Sequence, residues 1–175
     1  MAASTTVPLS EYLRTSYRPD RDWIDGEVRE RNMGELLHAA VQGFFTRRIG
    51  NHAAEWQVRV YPELRVQTSA AHFRVPDVCV LRDIAPFEQI VRTPPLLCIE
   101  ILSWEDRMIE MQERVDDYLG MGVVMVWLVD PRRRKGFVVS ALGQHSVEEL
   151  TVPETAIRIP LNEVFAELDE LEGKV

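Results

Sequence analysis

The chain has 175 residues, 46% of them apolar, with 20 Lys plus Arg against 28 Asp plus Glu for a net charge of −8. That length supports one domain with a substantial core and argues against a second independent one. The acidic balance repels polyanions at long range, so a nucleic-acid role needs a local basic patch.

No apolar run approaches the roughly 20 residues of a membrane span. The start, MAASTTVPLSEYL, has neither a basic n-region nor an apolar h-region, which gives the expectation of a cytoplasmic protein. Cys79, Cys98 and four scattered histidines match no zinc spacing and read as buried thiols and ordinary side chains. Residues 1–19 read as an arm, disordered to about Thr6, with Ser10 as the N-cap of a short helix through Glu11, Tyr12 and Leu13 that ends before Pro19. Residues 20–175 read as the domain. Trp23-Ile24 and Glu27-Val28-Arg29 flank Asp25-Gly26, the signature of a tight hairpin, here placed at the flank of the fold.

Gly34 to Arg48 has the apolar spacing of a helix, with Leu37, Val41, Phe44 and Phe45 on its stripe. Glu35, His38 and Gln42 share another face, which reads first as the solvent side and alternatively as a functional row. Trp56 to Val66 alternates as a strand, and Pro62 implies an edge or a bulge. Phe73 to Leu81 is the next strand; its alternation puts Asp77 on one face with Val75 and Cys79. A turn-rich connection spans Asp83 to Pro95.

Leu96 to Asp130 then reads strand, helix, strand. Leu96 to Leu102 is almost wholly apolar, which predicts a strand covered on both faces, yet it carries Glu100 on the face of Cys98 and Leu102. Val123 to Val129 is a second apolar run with the β-branched content of a central strand. Between them, helical spacing aligns Met108, Met111, Val115, Tyr118 and Leu119 as the stripe against the sheet. It sets Arg107 and Arg114 along one edge of that stripe and Glu110, Glu113, Asp116 and Asp117 mainly toward solvent. Arg132-Arg133-Arg134-Lys135 follow at a turn, the most basic point of the chain: a solvated tip, or a phosphate contact. An outer strand from Phe137 to Leu142, weak strands over 146–160 and an amphipathic helix from Leu161 to Leu171 complete the chain. Amphipathic terminal segments that a domain of this size need not bury motivate an expectation of homodimerisation.

Asp77 and Glu100 are carboxylates in apolar strands, each an expensive burial without a partner. Two explanations stand. A divalent cation such as Mg²⁺ would account for both acids at once. Alternatively, each pairs with Arg74, Arg107 or Arg114 in an internal salt bridge.

The ordered set Pro76-Asp77, Ile99-Glu100-Ile101-Leu102-Ser103, a helix ending at Tyr118, and Gly122-Val123 leading to Trp127-Leu128-Val129-Asp130-Pro131 resembles the Uma2 family. These are bacterial proteins of the PD-(D/E)XK nuclease superfamily. Asp25-Gly26-Glu27, the helix with His38 and Ile159-Pro160-Leu161 extend the likeness over most of residues 20–165. The resemblance implies a single α/β (α+β) domain, a restriction-endonuclease-like mixed sheet flanked by helices. It implies Mg²⁺ or Mn²⁺ on Asp77, Glu100 and the carbonyl of Ile101, with Glu35 as an added acid, and endonuclease action on DNA. Its catalytic lysine falls on Arg114, and Trp104 stands where the family has proline. Arginine stays charged and cannot serve as a general base, but Arg114 can stabilise charge on a phosphate, as can Arg107 and the basic turn. The alternative is a nuclease fold that has lost cleavage and acts as a DNA-associated or protein-interaction module.

Overall fold

The computed structural model describes residues 6–31, 35–103 and 108–173. In chain order the elements are α1 (Leu9–Tyr12), β1 (Asp22–Ile24), β2 (Glu27–Arg29), α2 (Leu36–Asn51), α3 (Ala53–Trp56), β3 (Val58–Pro62), β4 (Val66–Gln67), β5 (His72–Arg74), β6 (Val78–Arg82) and β7 (Leu97–Ile101). They continue with α4 (Met108–Met121), β8 (Met125–Asp130), β9 (Lys135–Ser140), β10 (Gly143–Val147), β11 (Glu149–Thr151), β12 (Arg158–Pro160) and α5 (Leu161–Leu171). The expected disorder up to Thr6 falls mostly outside the described residues.

A six-stranded sheet of order β10-β9-β8-β7-β6-β3 carries the fold. Only β7 and β8 pair in parallel; the other neighbours are antiparallel. A parallel neighbour needs a crossover, and α4 supplies it. The helix stops in a Schellman arrangement: Gly122 holds φ of 104°, its N–H donates to Leu119 O and that of Val123 to Tyr118 O, both at 3.0 Å. A β-carbon at Gly136 would stand 2.7 Å from Leu161 Cδ2, so that glycine is what lets α5 start against β9.

The two central strands are covered on both faces, as their continuous apolar character predicts. Val78, Val80, Leu97, Ile99 and Trp127 pack under α2 and α5, whereas Cys98, Val126 and Leu128 meet Met111, Val115 and Tyr118 of α4. Leu161, Val164, Phe165 and Leu168 of α5, the stripe read from the sequence, are buried in this same core, while Leu171 at the end of the helix is exposed.

Several expectations need correction. Trp56 to Val66 is α3 and two separate strands, broken where Glu63 takes φ of 51° after Pro62; β3 is the sheet edge that this proline requires. Phe73 to Leu81 is likewise two strands. β5 belongs to a four-stranded sheet, order β2-β1-β5-β4, and Pro76-Asp77 lies in the break before β6. On α4, Met108 is exposed rather than buried. Asp25 and Gly26, with φ of 50° and 90°, make the predicted two-residue turn between β1 and β2. That hairpin is not a flank: Trp23 joins Tyr12 and Phe73 in an aromatic cluster, and Asp22 is buried within 3.5 Å of Arg114 of α4.

Candidate active site

The register of β6 and β7 brings the two strand acids together. Val78 lies opposite Ile99, Cys79 opposite Cys98 and Val80 opposite Leu97, so the next step of the ladder sets Asp77 across from Glu100 on the face of the two cysteines. Both carboxylates are almost wholly buried, and like charges directly opposite on a sheet repel. The chain answers with cations. Arg31, just past β2, binds Asp77 Oδ1. Asp77 Oδ2 accepts the Ile101 N–H at 2.7 Å and lies 3.2 Å from His38 Nε2 of α2. Gln42, one turn along α2, donates to the Asp77 carbonyl at 2.9 Å.

Glu100 is served by α4. Arg114 Nη1 donates to Oε2 at 3.1 Å and the Tyr118 hydroxyl to Oε1 at 2.6 Å, an i, i+4 pair closing on one carboxylate. Arg114 Nη2 also lies 3.5 Å from Asp22 Oδ2. Asp22 in turn accepts Arg74 Nη1 at 3.1 Å and the Val75 N–H at 2.9 Å, and Arg74 Nε donates to Asp117 at 2.6 Å. The result is an alternating chain of charge from Asp117 through Arg74, Asp22 and Arg114 to Glu100, with the Arg31, Asp77 and His38 group beside it.

These partners set the protonation of the two acids differently. Burial alone would raise the Asp77 carboxyl, but Arg31, the His38 bond and the Ile101 amide outweigh it and hold it below the ordinary carboxylate range. For Glu100 burial prevails: it pushes the carboxyl up to about 7, with Arg114 pulling down and Asp77 adding upward pressure. Burial works against a charged His38, yet the hydrogen bond and charge of Asp77 leave its imidazole raised.

The remaining sequence-derived candidates are dispersed. Glu35 does not join the buried acids; it takes Arg132 Nη2 at 2.5 Å on the surface. Arg134 is committed to Asp169 and Glu172, at 2.9 and 3.0 Å. Arg133, which lies 3.6 Å from Asp130, and Lys135 reach the rim of a cavity of about 310 Å³ beside α4, lined also by Asp130 and floored by Leu102, Met111, Val115 and Phe137. Arg107 and Trp104 lie outside the described residues. His38 and Asp117, both first read as solvent-facing, belong to the site, as do Asp22 and Arg31. The burial of Asp22 had one weak signal, its place beside the Trp23-Ile24 pair at the start of a hairpin. Arg31 had none.

The divalent ion implied by the family resemblance does not fit this donor set as arranged. Each oxygen of Asp77 and Glu100 already accepts a hydrogen bond or ion pair, and a guanidinium already stands against each acid. Among the described residues no group of three or more His, Cys, Asp and Glu is placed to hold a metal. No described helix is long and apolar enough to cross a membrane.

Comparison with known proteins agrees with the fold. The model of the family Uma2, described as "Putative restriction endonuclease", matches residues 9–171. A solved structure described as "a putative nuclease belonging to DUF820", from Anabaena variabilis ATCC 29413, superposes with a TM-score of 0.81 at 24% identity, over 93% of this chain and 99% of that one. A looser likeness, TM-score 0.43 and 16% identity over 77% of this chain and 11% of the other, is to a chain of the DrdV-DNA complex. No curated protein matches.

Proposed function

The chain belongs to the Uma2 family, and from that premise we propose that it is an endonuclease hydrolysing phosphodiester bonds of DNA, with Asp77, Glu100 and Arg114 at its reaction centre. The observation that carries this reading is that Asp77, one residue beyond the Val78–Ile99 pair and bonded to the Ile101 N–H, and Glu100 are buried together at this end of the strands, with Arg114 bridging Glu100 to Asp22. Arg114 is the most exposed of the three buried-network arginines, its side chain at 14% against 2% and 3% for Arg31 and Arg74. It is the one able to exchange Glu100 for a phosphate oxygen and stabilise the charge that builds there. Glu100, whose carboxyl burial raises to about 7 with Arg114 still against it, is in its ionised form the group beside that phosphate to take a proton from the attacking water, as the phosphodiester P–O bond breaks and the leaving sugar oxygen takes a proton from solvent. The cavity rimmed by Arg133 and Lys135 offers apolar floor for a base and positive charge for the backbone.

A second reading has its own observation. Both acids are fully occupied by donors, which is also what a nuclease fold retained as a DNA-associated or protein-interaction module would present. Incubating plasmid and single-stranded DNA with the protein in Mg²⁺, Mn²⁺ and EDTA separates the two. Cleavage abolished in Asp77→Asn and Glu100→Gln supports the nuclease. DNA binding with no cleavage in any buffer supports the module.

A further inference from the structure

We propose that Arg31 is the resident counter-cation of this centre: its guanidinium neutralises Asp77 from within, in the place that a divalent ion shared with Glu100 would need. The proposal goes beyond the nuclease reading and does not require that the chain cleave anything.

Three features of the site converge on it. First, two carboxylates are buried together where the β6–β7 ladder ends, Asp77 next to Val78 and Glu100 next to its partner Ile99, an arrangement that needs a cation. Second, the cation is present: Arg31 is buried, bonded to Asp77 Oδ1, and near enough to Glu100 and Asp22 to feel both charges. Third, the other Asp77 oxygen is closed by the Ile101 N–H and His38, and both Glu100 oxygens by Tyr118 and Arg114. An octahedral Mg²⁺ needs carboxylate oxygens at about 2.0–2.1 Å and several waters, so it cannot enter without breaking these bonds. A lysine in the same place could lose its proton and make way. A guanidinium cannot, so it must be displaced bodily.

The test is metal binding, read by calorimetry and by the loss of the free Mn²⁺ resonance, on the wild type, Arg31→Met and Arg31→Met/Asp77→Asn. The wild type should show no saturable site below about 1 mM Mn²⁺, the weak end of carboxylate cation sites. Arg31→Met should bind one Mn²⁺ at least about tenfold more tightly, because a unit charge a few ångström away no longer repels it. The double variant should lose that gain. If Arg31→Met folds only with Mn²⁺ present, as judged by circular dichroism, metal has replaced the guanidinium and the proposal stands. Should that variant fail to fold even with Mn²⁺, Arg31→Lys replaces it, with a gain of the same sign expected. Micromolar binding to the wild type that vanishes in Asp77→Asn overturns the proposal, as does a folded Arg31 variant with unchanged affinity. None of these readouts depends on cleavage, so the nuclease reading can fail while this one holds, or the reverse.

Discussion

Replacing Asp77 with alanine tests whether the strand acids are held by cations or merely tolerated. The carboxylate is buried and accepts from Arg31, the Ile101 N–H and His38. Its removal leaves the Arg31 guanidinium in a buried site with its bonded carboxylate gone. Losing one partner of such a pair costs about 3–5 kcal/mol. The orphaned Ile101 amide adds about 1–3 kcal/mol, and relief of the repulsion on Glu100 returns part of the sum. A net loss of about 3–4 kcal/mol lowers Tm by about 6–16 °C for a domain of this size. Urea and thermal melts in EDTA, followed by circular dichroism, measure it. A cycle with Arg31→Met should give a coupling of about 1–3 kcal/mol, because the double variant no longer strands a charge. Two acids awaiting a metal would give the opposite sign, since deleting one would remove repulsion from the metal-free protein. An Asp77→Ala variant as stable as wild type, or more stable, refutes the arginine-held network.

Glu100→Gln should change the pH dependence of stability. Because the folded carboxyl is raised from 4.5 to about 7, the wild type holds its proton better when folded. Its stability contribution is therefore full below about pH 4.5 and is lost as pH rises through about 7, a span of about 3 kcal/mol. The glutamine variant should lack that slope, and parallel curves for the two proteins would contradict the raised ionisation. Arg114→Ala should lower cleavage by about a hundredfold or more, as for loss of a transition-state donor, whereas Arg114→Lys should retain or improve it; equal rates in all three proteins would remove Arg114 from the reaction. Cys79 and Cys98 face each other across β6 and β7 without exposure, and burial carries the Cys98 thiol well above its ordinary range. Neither should react with a thiol reagent until the protein unfolds, and fast labelling of the native state would show that the sheet opens beside the acids.

The division between what the residues announce and what only folding reveals follows the range of the interactions. Glu100 was legible because an acid within Leu96 to Leu102 breaks a continuous apolar run, and the crossover helix because α4 repeats its apolar positions locally. Asp77 needed one more fact, that one strand stops at Arg74 before Pro76 and the next starts at Val78, so its position rests on the β6 ladder rather than on alternation from Phe73. The cations were legible only where they share a periodic element with the stripe they edge, which is why Arg114 stood out. Arg31 and Asp22 come from a hairpin at the far end of the chain, 46 residues from Asp77 and 52 from Arg74. No local pattern encodes such a pairing. His38 and Asp117 were misread for a related reason: a polar residue on a helix is assigned to water unless a buried charge calls it inward. The sheet register creates that call by opposing two carboxylates, and the polar residues that reach them are then determined by which elements the topology lays against the ends of β6 and β7. A sequence pattern that predicts two buried acids on neighbouring strands therefore also predicts unmarked cations elsewhere in the chain, and the arginines of short N-terminal hairpins are the first place to look for them.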